Sequence, residues 1–278
     1  MKTYQTILRT TLPMPVNTSA TYQDEINRIR DSVQEFIAHL ETNNLDEMFS
    51  PGCAALADLI IWAQDQGVPN NEMWAGYHSL NDIRKDADPI LLKYLEKGID
   101  EKKLSLLREI PRAIAALGIT ERFANTSVLT SKILSLLAES KGDDDNLYLT
   151  LIPCLCSMMY DIKVDQLPEI FNVLQWTRDS RLIWMLRELS LVGKFVPEIV
   201  SAFIRMLRNP EDYHSFIRPF LDDPRLDYRV IYSLLINLKH TRNTKFRYDL
   251  NVLANELQEG NRKIAGVSAD SIKDILAL

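Results

Sequence analysis

A chain of 278 residues, 46% hydrophobic and 25% charged, has the make-up of a globular protein with a core of normal size. Its net charge of -6 excludes the overall basic excess that advertises nucleic acid or an anionic membrane, and nearly all the acidity lies in residues 1–139, with 14 Lys and Arg against 19 Asp and Glu. Three cysteines, two of them nearly adjacent, form no disulfide framework, and no apolar run is long enough to span a membrane, so a cytoplasmic chain without a membrane partner is expected.

In chain order, residues 1–20 are expected as an extended arm. Pro13 and Pro15 hold the chain extended, Tyr4–Arg9 has strand composition without a partner strand, and Arg9, Thr10 and Thr11 interrupt any signal-peptide core. From Thr21 the pattern turns helical. Tyr22, Ile26, Ile29, Val33, Phe36, Ile37 and Leu40 recur at spacings of three and four, and Thr21 with Asp24 and Glu25 supplies an acidic, capped start. A second helix opens at Ser50-Pro51 and closes at Gly67. The stretch VPNNEMWAGYHSLNDIRKDA, 68–87, is polar and weakly periodic, which predicts a long loop with a short helix in it. Residues 21–87 thus form an N-terminal helical subdomain.

From residue 88 to 278 the punctuation is regular: apolar periodic runs with polar starts and Gly or polar stops, joined by about two to six residues, predicting antiparallel helix pairs. LPEIFNVLQW (167–176) and VPEIVSAFIR (196–205) share Pro-Glu-Ile at a 29-residue offset, each followed by a turn and a second apolar helix. Repetition of such pairs is the grammar of stacked helical repeats. LLREIPRAIAALGI (106–119) resembles a degenerate HEAT or armadillo unit, and the likeness extends over about residues 88–260. The resemblance implies an all-α fold of antiparallel helix pairs stacked as an α-solenoid, continuous with the N-terminal subdomain; the rival is a compact irregular helical bundle.

LIPCLCSMMY, 151–160, places Cys154 and Cys156 two residues apart. On a strand they would share a face and hold a soft metal together. On the helix that length and context predict, they lie about 200° apart and cannot chelate one ion. Glu211 and His214 make one Glu-x-x-His, whereas di-iron bundles need two plus further carboxylates. DDDN at 143–146 resembles the Asp-rich magnesium motif of terpenoid synthases, but Leu147 and Tyr148 stand where the closing carboxylate would be in either register, and acidic residues suit a helix start. No phosphate loop or nucleophile elbow occurs. No cofactor, metal or catalytic set is therefore expected.

Two features point to binding. Lys239, Arg242, Lys245 and Arg247 lie with His240 in an acid-free window, KHTRNTKFR, suited to phosphate or an acidic partner. Trp176, Arg178 and Arg181, followed by Trp184, combine residue types enriched at binding hot spots, and Arg205 and Arg208 extend one basic surface if helix pairs stack. Trp74 and Tyr77 form a smaller aromatic candidate. The expected function is a non-catalytic scaffold that binds a protein or peptide, a class that includes adaptors, assembly factors and bacterial toxin-neutralising (immunity) proteins. The alternatives are a HEAT-like nucleic-acid-binding protein or enzyme using the basic 178–247 region, and a regulatory domain holding a small apolar ligand between helices.

Overall fold

The computed structural model describes residues 16–42, 51–101, 103–118, 126–141, 147–237 and 244–277. The described residues are all-helical, with no strand among them. Among the described residues no helix is long and apolar enough to cross a membrane. Of the arm expected at residues 1–20, residues 16–20 are described and are not helical or strand; the strand expected at Tyr4–Arg9 and the DDDN stretch lie outside the described residues. The chain divides into two compact units, Met1–Ile170 and Phe171–Leu278.

In the first unit, α1 (Tyr22–Glu41) starts as its sequence dictates: the Asp24 amide donates to Thr21 Oγ1 at 3.2 Å, and the Thr21 amide donates back to Asp24 Oδ2 at 3.0 Å. Ile26, Ile29, Val33, Phe36 and Leu40 are fully buried, so the stripe of threes and fours is the core face. Then follow α2 (Leu56–Asp65), α3 (Asn70–Ser79), α4 (Asn81–Asp100), α5 (Leu104–Leu117), α6 (Thr126–Glu139) and α7 (Tyr148–Ser157). The loop expected at 68–87 is instead α3 and the start of α4, and the boundary expected at residue 88 falls inside α4. Two misleading residues explain this. Gly76 breaks the apolar pattern, but it marks a close contact: a Cβ there would sit 2.6 Å from the Tyr22 ring. Pro89 reads as a helix start, yet it lies on the exposed side of α4, where its ring and missing N–H are tolerated in mid-helix.

Helix α5 is the hub of this unit. It packs against α1, α2, α4 and α7, and Ala113, Ala115 and Ala116 keep its girth small while Leu106, Leu107, Ile110 and Ile114 fill the core. Its C-terminus is closed by Gly118 at φ 56°, and there a Cβ would also meet Leu56 Cδ2 at 2.6 Å. Buried Arg84 of α4 donates through Nε to the Leu117 carbonyl at 2.5 Å, placing a cation at the helix end. Cys154 and Cys156 are buried on α7, which runs through Pro153; burial pushes the Cys154 thiol up, and Ser157 Oγ bonds to the carbonyls of Ala115 and Pro153 at 3.2 and 3.0 Å. The two cysteines are packing residues of a helix.

This unit should be alkali-labile. Burial pushes the Tyr22 phenol up to about 12, against the pull of Arg84, and burial pushes the Cys53 thiol up to about 11, against a hydrogen bond with Ser32. A group raised on folding contributes fully below its unfolded value, 9.0 for Cys and 10.0 for Tyr, and that contribution is lost as pH rises through the folded value. The melting temperature is therefore expected to fall from about pH 9 to pH 12. Tyr22→Phe should start lower, having lost the 2.9 Å bond to the Met73 carbonyl, but fall less steeply above pH 10. Equal slopes for variant and wild type would refute the assignment.

The second unit takes over within α8 (Leu167–Thr177) and continues through α9 (Ser180–Leu191), α10 (Val196–Arg205), α11 (Pro210–Phe216), α12 (Arg218–Leu221), α13 (Tyr228–Asn237), α14 (Thr244–Glu259) and α15 (Ala269–Ala277). The run PEDYHSFIRPFLD, expected as one helix, is two short ones broken ahead of Pro219. Helix α13 packs against both α10 and α15, α9 against α11, and α12 against α14. Two glycines fix the direction. A Cβ on Gly193, before α10, would lie 2.0 Å from Arg229 Nη1, and a Cβ on Gly266, before α15, would lie 3.4 Å from the Tyr228 Cβ. Both glycines have positive φ, 85° and 76°. The starts of α10, α13 and α15 thus lie side by side, with α11 and α12 connecting α10 to α13 and α14 connecting α13 to α15.

Candidate partner-binding edge of the second unit

The return turns carry the candidate residues. Arg178, between α8 and α9, has φ 51°, a conformation non-glycine residues adopt at a cost. Its guanidinium reaches the next turn along, donating to the Met206 carbonyl and Asp212 Oδ1, each at 3.4 Å, and lies 5.4 Å from the Phe216 ring centre. Asp212 is itself fixed by α11's capping box: its amide donates to Asn209 Oδ1 at 3.0 Å, and its Oδ2 accepts the amides of Arg208 and Asn209 at 2.7 and 3.1 Å. From that same α11, His214 Nε2 lies 2.8 Å from Lys245 Nζ at the start of α14.

The expected residues therefore fall into three groups. Arg205 ends α10, Arg208 lies in the following turn, and Lys245 and Arg247 lie in the first turn of α14; all four are exposed, with Arg247 donating to the Leu276 carbonyl at 3.4 Å at the end of α15. Trp176 and Arg178 are half-buried at the end of α8. Arg181 is 2% exposed and belongs to the interior: its backbone amide and Nε donate to Asp179 Oδ1 at 2.8 and 3.0 Å, and its Nη2 to Oδ2 at 2.7 Å. Lys239 and Arg242 lie outside the described residues. Turns between the helices thus gather Arg178, Arg205, Arg208 and Lys245 on one edge, with carboxylates opposing only part of the charge.

The opposite set of turns holds the unit together. Asp-x-Arg occurs there twice, at Asp223-Pro224-Arg225 and Asp227-Tyr228-Arg229, and once on the first edge, at Asp179-Ser180-Arg181. In each case the arginine's amide and Nε both bond to the aspartate two residues back. Arg225 also forks onto Glu188 of α9 at 2.8 and 2.9 Å, and Arg262 donates to the Asp223 carbonyl at 3.1 Å, tying three successive segments. Burial raises the Asp223 carboxyl, but hydrogen bonds and charge from Arg225 outweigh it and hold the group below the usual carboxylate range. In these three turns of the second unit the Asp-x-Arg spacing ties the arginine to a local carboxylate; at Asp82-Ile83-Arg84 in the first unit the same spacing leaves Arg84 Nε to the Leu117 carbonyl.

Two further features were not in the expected set. Tyr213 and Arg218 converge on buried Asp249 of α14: the Tyr213 hydroxyl donates to Oδ2, as does Arg218 Nη1 at 3.0 Å. Burial, then Asp249, push the Tyr213 phenol well above its ordinary value. In the first unit, α1, α2 and α3 flank an open cleft of about 510 Å³ lined by Tyr22, Trp62, Gln66 and Glu72 among others. Among the described residues no group of three or more His, Cys, Asp and Glu is placed to hold a metal ion. Comparison with protein-family models, with curated proteins and with solved structures finds no match for this chain.

Proposed function

We propose that the chain is a binding scaffold, and that its second unit holds an acidic protein segment along the edge formed by Arg178, Arg205, Arg208 and Lys245. The observation carrying this is that cations 67 positions apart in sequence, Arg178 and Lys245, both reach the segment that follows α10, Arg178 at the Met206 carbonyl and Lys245 at His214 of α11, while α13 stacks against both α10 and α15. That stacking supports a solenoid reading of the second unit, where each helix pair covers its neighbour's apolar flank and leaves its turns as a continuous rim. The hub arrangement around α5 supports a bundle reading of the first unit. Adaptor, assembly factor and toxin-neutralising roles differ in their partner and share this mode of action.

Fluorescence anisotropy with an aspartate-rich dodecapeptide tests the edge. Arg205→Glu, Arg208→Glu and Lys245→Glu together should weaken binding at least about tenfold without altering the thermal melt, since all three are exposed. Unchanged affinity removes the edge from consideration. Tight binding of duplex DNA that collapses with added salt, and is lost in the same variant, would replace this reading with the nucleic-acid one.

A further inference from the structure

Helix α3 presents a tryptophan to solvent. Trp74 is 55% exposed, whereas Trp62 and Trp176 are half-buried and Trp184 is buried. Trp74, Tyr77 and His78 occupy positions i, i+3 and i+4, so their rings meet along one side of the helix. The indole stacks on the His78 ring with the planes 28° apart and the centres 6.1 Å apart. Tyr77 stands edge-on to both, at 5.6 and 5.5 Å. A face of Tyr77 is covered by the Arg84 guanidinium, 4.0 Å from its centre. Arg84 is 3% exposed and is locked by the carbonyls of Leu117 and Tyr77 and by Asn81 Oδ1. The exposed indole is thus braced, through Tyr77, on a buried arginine tied to the end of the hub helix α5.

A rigid aromatic group on the surface loses little side-chain entropy when a partner covers it, which is the condition for a hot spot. The surrounding charge selects the partner. Between Gln66 and Ala87 the exposed ionic side chains are Glu72, Asp82 and Asp86 against Lys85, within the half of the chain that holds most of the net acidity. We propose that the Trp74 face of α3 docks a basic segment of a partner protein, with an arginine side chain lying on the indole and its neighbouring cations drawn by these carboxylates. Guanidinium suits this face better than ammonium, because it is planar and more weakly hydrated and stacks on aromatic rings. This surface is independent of the edge on the second unit and takes a partner of opposite charge.

The test uses the full chain with nona-arginine, nona-lysine and nona-glutamate peptides, read by tryptophan fluorescence and calorimetry. Nona-arginine should bind more tightly than nona-lysine, and nona-glutamate should not compete. Trp74→Ala should weaken nona-arginine binding about tenfold or more while Trp74→Phe retains most of it, both with wild-type thermal melts. Glu72→Lys with Asp82→Lys should weaken it and reduce its salt dependence. The triple charge reversal at Arg205, Arg208 and Lys245 should leave it intact, so failure here is separable from failure of the edge. Equal affinity of Trp74→Ala and wild type overturns the proposal, as does self-association of the wild type that Trp74→Ala abolishes, which would assign the face to a second copy of this chain.

Discussion

Asp179→Ala is expected to destabilise the second unit by about 3–5 kcal/mol in urea unfolding. The aspartate is the N-cap of α9, accepting the Arg181 amide at 2.8 Å, and its carboxylate is clasped by the Arg181 side chain through Nε and Nη2. Losing the cap costs about 1 kcal/mol. The larger part comes from the charge left behind: the Arg181 and Asp179 side chains are 2% and 7% exposed, so the guanidinium would remain in the interior without its carboxylate. Coulomb attraction across a buried pair roughly repays desolvation only while both partners stand, which makes removal of one far costlier than removal of both. Asp179→Ala with Arg181→Met should therefore recover most of the loss, leaving about 1 kcal/mol for the cap. A double variant as unstable as the single one would show that the pair is not the source of the effect.

That residue also marks how far the sequence could be followed. The helices were legible because their apolar spacing is strict: the α1 stripe from Tyr22 to Leu40 and its Thr21 cap were both readable, and the Pro-Glu-Ile echo picked out α8 and α10. Legibility failed where one residue carries two meanings. Gly76 and Pro89 are helix breakers by propensity, yet Gly76 is packed closely under the Tyr22 ring and Pro89 sits on the exposed side of a helix that runs through it. Arginine is equally ambiguous. Arg178, Arg181, Arg205 and Arg208 look alike in a string of letters, but Arg178 is half-buried against Asp212, Arg181 is buried against Asp179, and Arg205 and Arg208 are exposed. For Arg181 alone the partner is local, the aspartate two residues back that caps α9. No local clue could reveal that Tyr77 and Arg84 brace Trp74, because that depends on α4 reaching the end of α5.

Asp249→Ala is the second large effect expected, about 2–4 kcal/mol, for a different reason. Asp249 is 7% exposed on α14 and serves two donors from the preceding pair, the Tyr213 hydroxyl of α11 and Arg218 Nη1 of α12. Arg218 keeps Asp222 as an alternative, with Nε to Oδ2 at 2.8 Å, and is partly exposed, so it loses little. Tyr213 has no such recourse: its side chain is fully buried against Phe246, and the hydroxyl would lose the acceptor that it meets on α14. Asp249→Asn retains an acceptor oxygen for that hydroxyl and should cost much less, whereas Tyr213→Phe in the Asp249→Ala background should restore part of the stability by removing the orphaned group. The same variants bear on the edge, because Asp249 lies one turn beyond Lys245, and Tyr213 next to His214, on the same two helices. If Asp249 sets the register of α14 against α11, Asp249→Ala should weaken the acidic peptide at temperatures where the unit is still folded, and Asp249→Asn should not. Peptide affinity that is identical in both variants at matched folded fraction would leave Asp249 with stability alone and would free the edge from any dependence on it.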